Sequence, residues 1–115
     1  MKYLFLLIIM VSGSVQAFTV NEDINYLLDT MEKSSCEFIR NGATHSPKEA
    51  VRHLKKKWRY YADEINTAED FIKKAATGSS MSGKPYFIQC EKEQKIQSSQ
   101  WLLKQLQLHQ RQAIE

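Results

Sequence analysis

The sequence predicts a single α+β domain in which about four helices pack around a two-stranded antiparallel β ribbon. Four segments carry apolar residues at every third or fourth position, which is typical of amphipathic helices. Two short segments, 36–40 and 86–90, lie beside turn residues and instead indicate strands. Because 115 residues leave room for one hydrophobic core, the helices must cover one face of the ribbon, which alone would be marginally stable in water.

The first seventeen residues predict a signal peptide. Lys2 provides a positive start, an apolar run covers residues 4–11, and Val15-Gln16-Ala17 is a small-x-small cleavage site. The run has no polar face, which disfavours a buried N-terminal helix, and it is far shorter than the ~20 residues that span a bilayer. We therefore expect cleavage near Ala17, a single mature domain over 18–115, a periplasmic or secreted location, and no stable membrane insertion of the mature chain.

The composition excludes several classes of protein. With 43% hydrophobic and 25% charged residues, the chain is not collagen-like, mucin-like or wholly disordered. Its two cysteines, Cys36 and Cys90, both lie in the predicted mature part. In an oxidising compartment an even pair predicts a disulfide, and here Cys36 begins one strand while Cys90 ends the other. A redox motif would need C-x-x-C spacing, and a zinc site would need more ligands.

The first two predicted helices follow from caps and periodicity. Asn21 is the expected N-cap of the first helix, whose apolar face includes Ile24 to Met31 and which should end near residues 34–35. After the strand 36–40, Asn41-Gly42 indicates a tight turn. Ser46-Pro47 then begins the second helix. Its predicted core stripe is Ala50, Val51, Leu54, Trp58 and Tyr61, and its opposite face is basic, with Lys48, Arg52, Lys55, Lys56 and Arg59.

The second half of the chain predicts a helix, a strand and a helix. Thr67 caps a third helix that buries Phe71 and Ile72 and stops by Gly78. Residues 78–83 form a loop, and a short strand covers 86–90 after Pro85. A polar connection over 91–97 leads to the last helix, expected from about residue 99. The predicted core stripe of this helix is Leu102, Leu103, Leu106, His109 and Ala113.

The sequence contains no convincing cofactor or metal motif. Gly78-x-x-x-x-Gly83-Lys84 resembles a phosphate-binding P-loop, but Pro85 stands where Ser or Thr must hold Mg²⁺. The loop also follows a helix and opens a strand, the reverse of a P-loop. The three histidines are spread out with no i, i+4 pair, so we expect no metal site. No nucleic-acid-binding motif is present, so we expect no nucleic-acid partner.

Several segments resemble one known family when taken in order. They are F-I-R-N-G (38–42), E-A-V-R-H-L-K-K-K (49–57), I-N-T-A-E-D-F-I (65–72) and S-S-M-S-G-K-P-Y (79–86), with W-L-L (101–103) behind them. Over about residues 24–106 the chain resembles the YfeK-like family of small exported bacterial proteins. The resemblance implies export and a single domain. It implies no chemistry, because that family is a domain of unknown function with no assigned activity, ligand or catalytic residue.

Five of the residues that carry the resemblance have no evident turn, cap or core role: Arg40, His53, Lys57, Ser80 and Tyr86. Together with the donors of residues 79–83, they predict a small cationic pocket for a carboxylate- or phosphate-bearing ligand, for example a peptidoglycan fragment. The competing interpretation is that Arg40 pairs with Glu69 or Asp70, as buried arginines usually do, and that the serines only shape their loop.

These observations predict an uncharacterised exported protein that acts as a non-enzymatic binding or interaction module of the cell envelope. Its partner would be an envelope protein or an anionic ligand. Two alternatives stay open at this stage: a small hydrolase or transferase of the envelope, and an inhibitor or assembly factor of an envelope enzyme. An enzyme would need a cleft with convergent polar groups and perturbed pKa values, whereas a binding module needs only an exposed patch.

Overall fold

The computed structural model describes residues 17–113, which fold into four α-helices and four β-strands. In chain order these are α1 (Val20–Lys33), β1 (Cys36–Arg40), β2 (Ala43–His45), α2 (Pro47–Tyr60), α3 (Ala68–Ala75), β3 (Phe87–Cys90), β4 (Ile96–Gln97) and α4 (Ser98–Gln112). A short 3-10 helix, Ala62–Glu64, links α2 to α3. The α+β class is therefore confirmed. The predicted signal peptide lies, except for Ala17, outside the described residues and stays a prediction.

The strands form one antiparallel sheet in the order β2-β1-β3-β4. The predicted ribbon of 36–40 with 86–90 is the central pair of this sheet, but the expectation of only two strands was wrong. Asn41 (φ 52°) and Gly42 (φ 79°) form the predicted tight turn, and that turn leads into β2. Because β2 and β4 have only three and two residues, neither shows a recognisable alternation in the sequence.

Cys36 and Cys90 form a disulfide, as predicted. The two residues are direct partners in the β1–β3 register, and their Cα atoms lie 4.0 Å apart. Two positions further along, Phe38 is opposite Ile88, and both side chains face the core. The disulfide therefore closes one end of the central strand pair.

The helix starts at Ser46 and Thr67 match the predictions, and the start of α1 does not. The hydroxyls of Ser46 and Thr67 accept hydrogen bonds from the amides three residues later, at 3.2 and 3.0 Å. In α1 the N-cap is Thr19 rather than Asn21. Thr19 Oγ1 accepts from the Glu22 amide while Glu22 Oε1 accepts from the Thr19 amide, so a reciprocal capping box starts the helix earlier.

The helices cover one face of the sheet. Helix α2 contacts β1, and α4 contacts β3 and β4, while α1 and α3 contact each other and both α2 and α4. The core between them includes the fully buried Ile24, Leu27, Phe71, Ala75 and Leu102. Leu103, predicted to be in the core, is 39% exposed, because α4 buries a narrower stripe than its apolar content suggests. No helix within residues 17–113 is both long and apolar enough to cross a membrane.

Candidate functional site

A cleft of about 470 Å³ opens between the end of β1, helix α2, the loop 78–85 and the start of β3. The five residues predicted as ligand-binding all line this cleft: Arg40, His53, Lys57, Ser80 and Tyr86. Strand register explains part of the convergence. Arg40 lies two positions beyond Phe38 and so on the same face of β1, and the antiparallel pairing with β3 carries it towards Tyr86. His53 and Lys57 are one turn apart on α2.

Lys57 is the most unusual residue of the cleft, because it is a buried lysine with only 8% of its surface exposed. Its ammonium donates to the backbone oxygen of Gly78 at 2.8 Å and to Tyr86 Oη at 3.1 Å. The same nitrogen lies 4.9 Å from the centre of the Tyr86 ring, a cation–π contact. Burial and, second, the charge of Arg40 lower the pKa of Lys57. Lys57 therefore joins α2 to the loop and to Tyr86.

His53 contacts the same tyrosine from the other side. Its Nε2 lies 3.1 Å from Tyr86 Oη. Burial, followed by the charges of Arg40 and Lys57, lowers the pKa of His53 from 6.5 to about 4, so the ring is neutral at pH 7. Because a lysine ammonium only donates, the Tyr86 hydroxyl accepts from Lys57, and it makes a second hydrogen bond with His53 Nε2. Burial raises the pKa of Tyr86, so the hydroxyl keeps its proton.

Arg40 has no acidic partner in the cleft. Within residues 17–113, no carboxylate lies within 4.0 Å of the side-chain nitrogens of Arg40 or Lys57. The expected pairing of Arg40 with Glu69 or Asp70 is not formed. The Asp70 side chain instead accepts from the amide of Asn66 at 3.0 Å, which holds it at the start of α3. Two cations thus share one cleft without a neutralising charge.

The loop 78–85 uses most of its own polar groups internally. The Ser79 amide donates to Lys84 O and the Gly83 amide donates to Ser79 O, both at 2.9 Å. Ser79 Oγ accepts from the amides of Met81 and Ser82 at 3.3 and 3.2 Å. The amides of Ser79, Met81, Ser82 and Gly83 are therefore occupied in shaping the loop, as is usual for a short loop rich in serine. The role of this loop as a source of ligand donors stays a prediction.

Two tyrosines at the end of α2 belong to the cleft and were not predicted as site residues. The hydroxyl of Tyr61 lies 2.8 Å from Ser80 Oγ, so it ties the loop to the helix, and Tyr61 is half-buried rather than part of the core stripe. Tyr60 lines the same cleft and is 81% exposed. The sequence signal is the pair of tyrosines at the end of a basic helix, where helical periodicity separates adjacent side chains by about 100° and assigns only Tyr61 to the core stripe.

A second polar cluster lies at the other end of the helices. The His109 ring stacks between Phe18 and Tyr26, with ring centres 4.1 and 3.8 Å away, and His109 Nε2 lies 3.4 Å from the carboxylate of Asp23. His109 was predicted on the buried face of α4, and it is buried. In the part of the chain that the structure describes, no three His, Cys, Asp or Glu side chains form a metal-binding group.

Comparison with known proteins adds a family to this geometry. Residues 18–110 match the model of the "Family of unknown function (DUF5329)". The chain belongs to this family. The match includes all five predicted cleft residues, and it covers α1 to all but the last two residues of α4.

A relative in Salmonella typhimurium agrees with this assignment. It is named "Uncharacterized protein YfeK" and is 45% identical over 64 residues, which are 55% of this chain and 53% of the relative. The match therefore spans about half the length of that relative. These findings confirm the resemblance to YfeK-like proteins of unknown function. No solved structure matches this chain.

Proposed function

We propose that this member of the DUF5329 family is an exported, non-enzymatic binding module of the cell envelope whose cleft takes a carboxylate- or phosphate-bearing ligand. The observation that carries the proposal is that Arg40 and Lys57 line the same cleft. Within residues 17–113, neither side chain has a carboxylate within 4.0 Å. Cations held together this way repel each other, and an anion that binds between them relieves the repulsion.

The donors that remain unused in the cleft suit such a ligand. Lys57 uses two of its three ammonium protons on Gly78 and Tyr86, which leaves one for a ligand. Arg40 makes no side-chain hydrogen bond to the described residues, so its planar fork is available for two ligand oxygens. The Ser80 hydroxyl, which contacts Tyr61, adds a neutral group at the rim.

The contacts favour binding over catalysis. His53 Nε2 is hydrogen-bonded with Tyr86 Oη, and burial, followed by the charges of Arg40 and Lys57, disfavours the protonated form of the ring. A general base would have to take up a proton in this environment. His53 and Tyr86 therefore act in this proposal as the support that orients Lys57.

The disulfide and the N-terminal sequence support export. A cross-link between Cys36 and Cys90 persists in oxidising compartments such as the periplasm. Cell fractionation with N-terminal sequencing tests this part of the proposal. We expect periplasmic or secreted protein that begins near Phe18, and cytoplasmic protein with an intact N-terminus would refute it.

Anion binding is tested by calorimetric titration of the mature protein with inorganic phosphate and with a muramyl peptide. We expect Arg40→Gln to weaken binding of the probe at least about tenfold, because a buried or half-buried charge-assisted pair is lost. Arg52→Gln is the matched control, since Arg52 is an exposed arginine on α2 outside the cleft, and its affinity should stay within about twofold. Equal losses in the two variants, or no binding by the unmodified protein, would contradict the proposal.

A further inference from the structure

Two large side chains beside the cleft are almost fully exposed. Tyr60 is 81% exposed and Met81 is 99% exposed, and both line the cleft that contains Arg40 and Lys57. We call Tyr60 and Met81 the lip. Exposed apolar surface therefore lies directly beside the charged groups of the cleft.

The lip is held in place by specific contacts. The Met81 amide donates to Ser79 Oγ, and the Ser82 hydroxyl donates to Asn41 Oδ1 at 2.7 Å, so the loop tip is fastened to the β1–β2 turn. On the helix side, the Tyr60 ring packs edge-on against Tyr61, with ring centres 4.8 Å apart. These contacts hold the loop and the end of α2 in one conformation, and in that conformation Tyr60 and Met81 are exposed.

Positive charge predominates along α2, the helix that carries Tyr60 of the lip. Residues 46–66 contain six Lys or Arg and three carboxylates. Glu49 is hydrogen-bonded with His45 at 3.1 Å and Glu64 contacts Lys74 at 3.9 Å, whereas Asp63 has no such partner in the described part of the chain. Helical spacing places Lys56 next to Tyr60 on α2. The exposed cations of the helix are Lys48, Arg52, Lys55, Lys56 and Arg59.

We infer that the lip and the exposed cations of α2 dock the protein on the surface of an anionic phospholipid membrane, with a lipid headgroup phosphate in the cleft. Tyr and Met insert readily at the level of the headgroups, and basic residues near an anionic bilayer are attracted to it. The inference rests on the proposed function, because it names the headgroup phosphate as the anion that Arg40 and Lys57 bind.

A membrane fits these features better than a protein partner does. A stable protein interface needs a desolvated centre within a total buried area of about 1,200 Å² or more. Two isolated side chains set among cations supply too little apolar surface for such a centre. A bilayer needs only shallow insertion at two points together with attraction between opposite charges.

Vesicle co-sedimentation tests the inference. The probes are vesicles of phosphatidylcholine alone and of phosphatidylcholine mixed with phosphatidylglycerol, and we expect binding to the anionic vesicles that weakens with added salt. Replacing the lip, Tyr60→Ser with Met81→Ser, should weaken partition to anionic vesicles at least about fivefold. Leu108→Ser is the matched control, because Leu108 is an exposed apolar residue on α4 outside the cleft.

Soluble phosphate separates this inference from the proposed function. The variant Arg52→Gln with Arg59→Gln, which changes two exposed cations of α2 outside the cleft, should still bind inorganic phosphate like the unmodified protein but bind anionic vesicles more weakly. Arg40→Gln should lose both phosphate and vesicle binding. Phosphate binding without selective binding to anionic vesicles would overturn the membrane inference and leave the proposed function standing. Failure of both would overturn both. Binding to a soluble polyglutamate peptide but not to vesicles would assign the surface to an acidic protein and likewise overturn the inference.

Discussion

The disulfide between Cys36 and Cys90 cross-links residues that are 54 positions apart, and breaking it is expected to cost a large part of the stability of this domain. In the chain-entropy model, a loop of this length contributes about 4 kcal/mol, because the cross-link restricts the unfolded chain. For a domain of about this size the loss corresponds to a fall in melting temperature of roughly 15 to 30 °C. Reducing the disulfide should therefore bring the protein close to unfolding at physiological temperature.

Urea unfolding followed by circular dichroism, with and without dithiothreitol, measures this contribution. Reduction keeps both sulfur atoms in place, so it reports the cross-link, whereas Cys36→Ala with Cys90→Ala also removes buried volume and should be somewhat less stable still. The slope of the free energy against urea should rise on reduction, because the unfolded chain expands. A loss below about 1 kcal/mol on reduction would refute the reasoning, since it would mean that the unfolded chain already keeps these strands together.

Two further predictions concern the cleft and its loop. The neutral form of His53 is favoured in the folded state, so stability should fall as the pH falls from 6.5 to about 4, while the unfolded chain takes up the proton first. Because solvent screens the half-buried ring, the expected loss of unfolding free energy over this pH range is about 1 kcal/mol. Urea unfolding of His53→Gln should not show this loss. Gly78→Ala should destabilise the protein by about 1–3 kcal/mol in thermal unfolding, because its Cβ would lie 2.8 Å from the backbone oxygen of Lys84.

The controls for these two predictions lie in the same chain. The stability of the unmodified protein relative to His53→Gln should rise between pH 4 and 6.5 and stay constant above pH 6.5. A relative stability that falls as the pH rises through that window would contradict the assigned sign. Gly42→Ala meets no atom within 4 Å and should cost about 1 kcal/mol from its φ of +79° alone. A Gly78→Ala variant as stable as the unmodified protein would show that the loop moves away without cost.

The residues of the cleft could be selected from the sequence, but their pairing could not. Arg40, His53 and Tyr86 were singled out because turn, cap and core roles did not account for them. A buried arginine needs an anion, which predicts a pairing of Arg40 with Glu69 or Asp70, yet the Asp70 carboxylate caps its own helix instead. The Asp70 carboxylate is hydrogen-bonded within its own helix start and is not available to Arg40. The packing of α2 against the loop 78–85 decides the contacts of Lys57 with Gly78 and Tyr86.

What the sequence determined by itself was local in origin. Interactions within a few residues produce the caps at Ser46 and Thr67 and the turn at Asn41-Gly42, so the sequence pattern predicts them. The disulfide was predictable because Cys36 begins one strand and Cys90 ends the other, which makes them partners in an antiparallel pair.

The tertiary structure alone decided the features that depend on distant partners. Strands β2 and β4 exist because neighbouring strands supply their hydrogen bonds, and their own sequences are too short to show alternation. Lys57 is buried because its long apolar stem reaches across to Gly78, 21 residues away in the chain. Helical spacing places Lys57 one turn from His53 on α2, and whether such a lysine is solvated or buried depends on what packs against it.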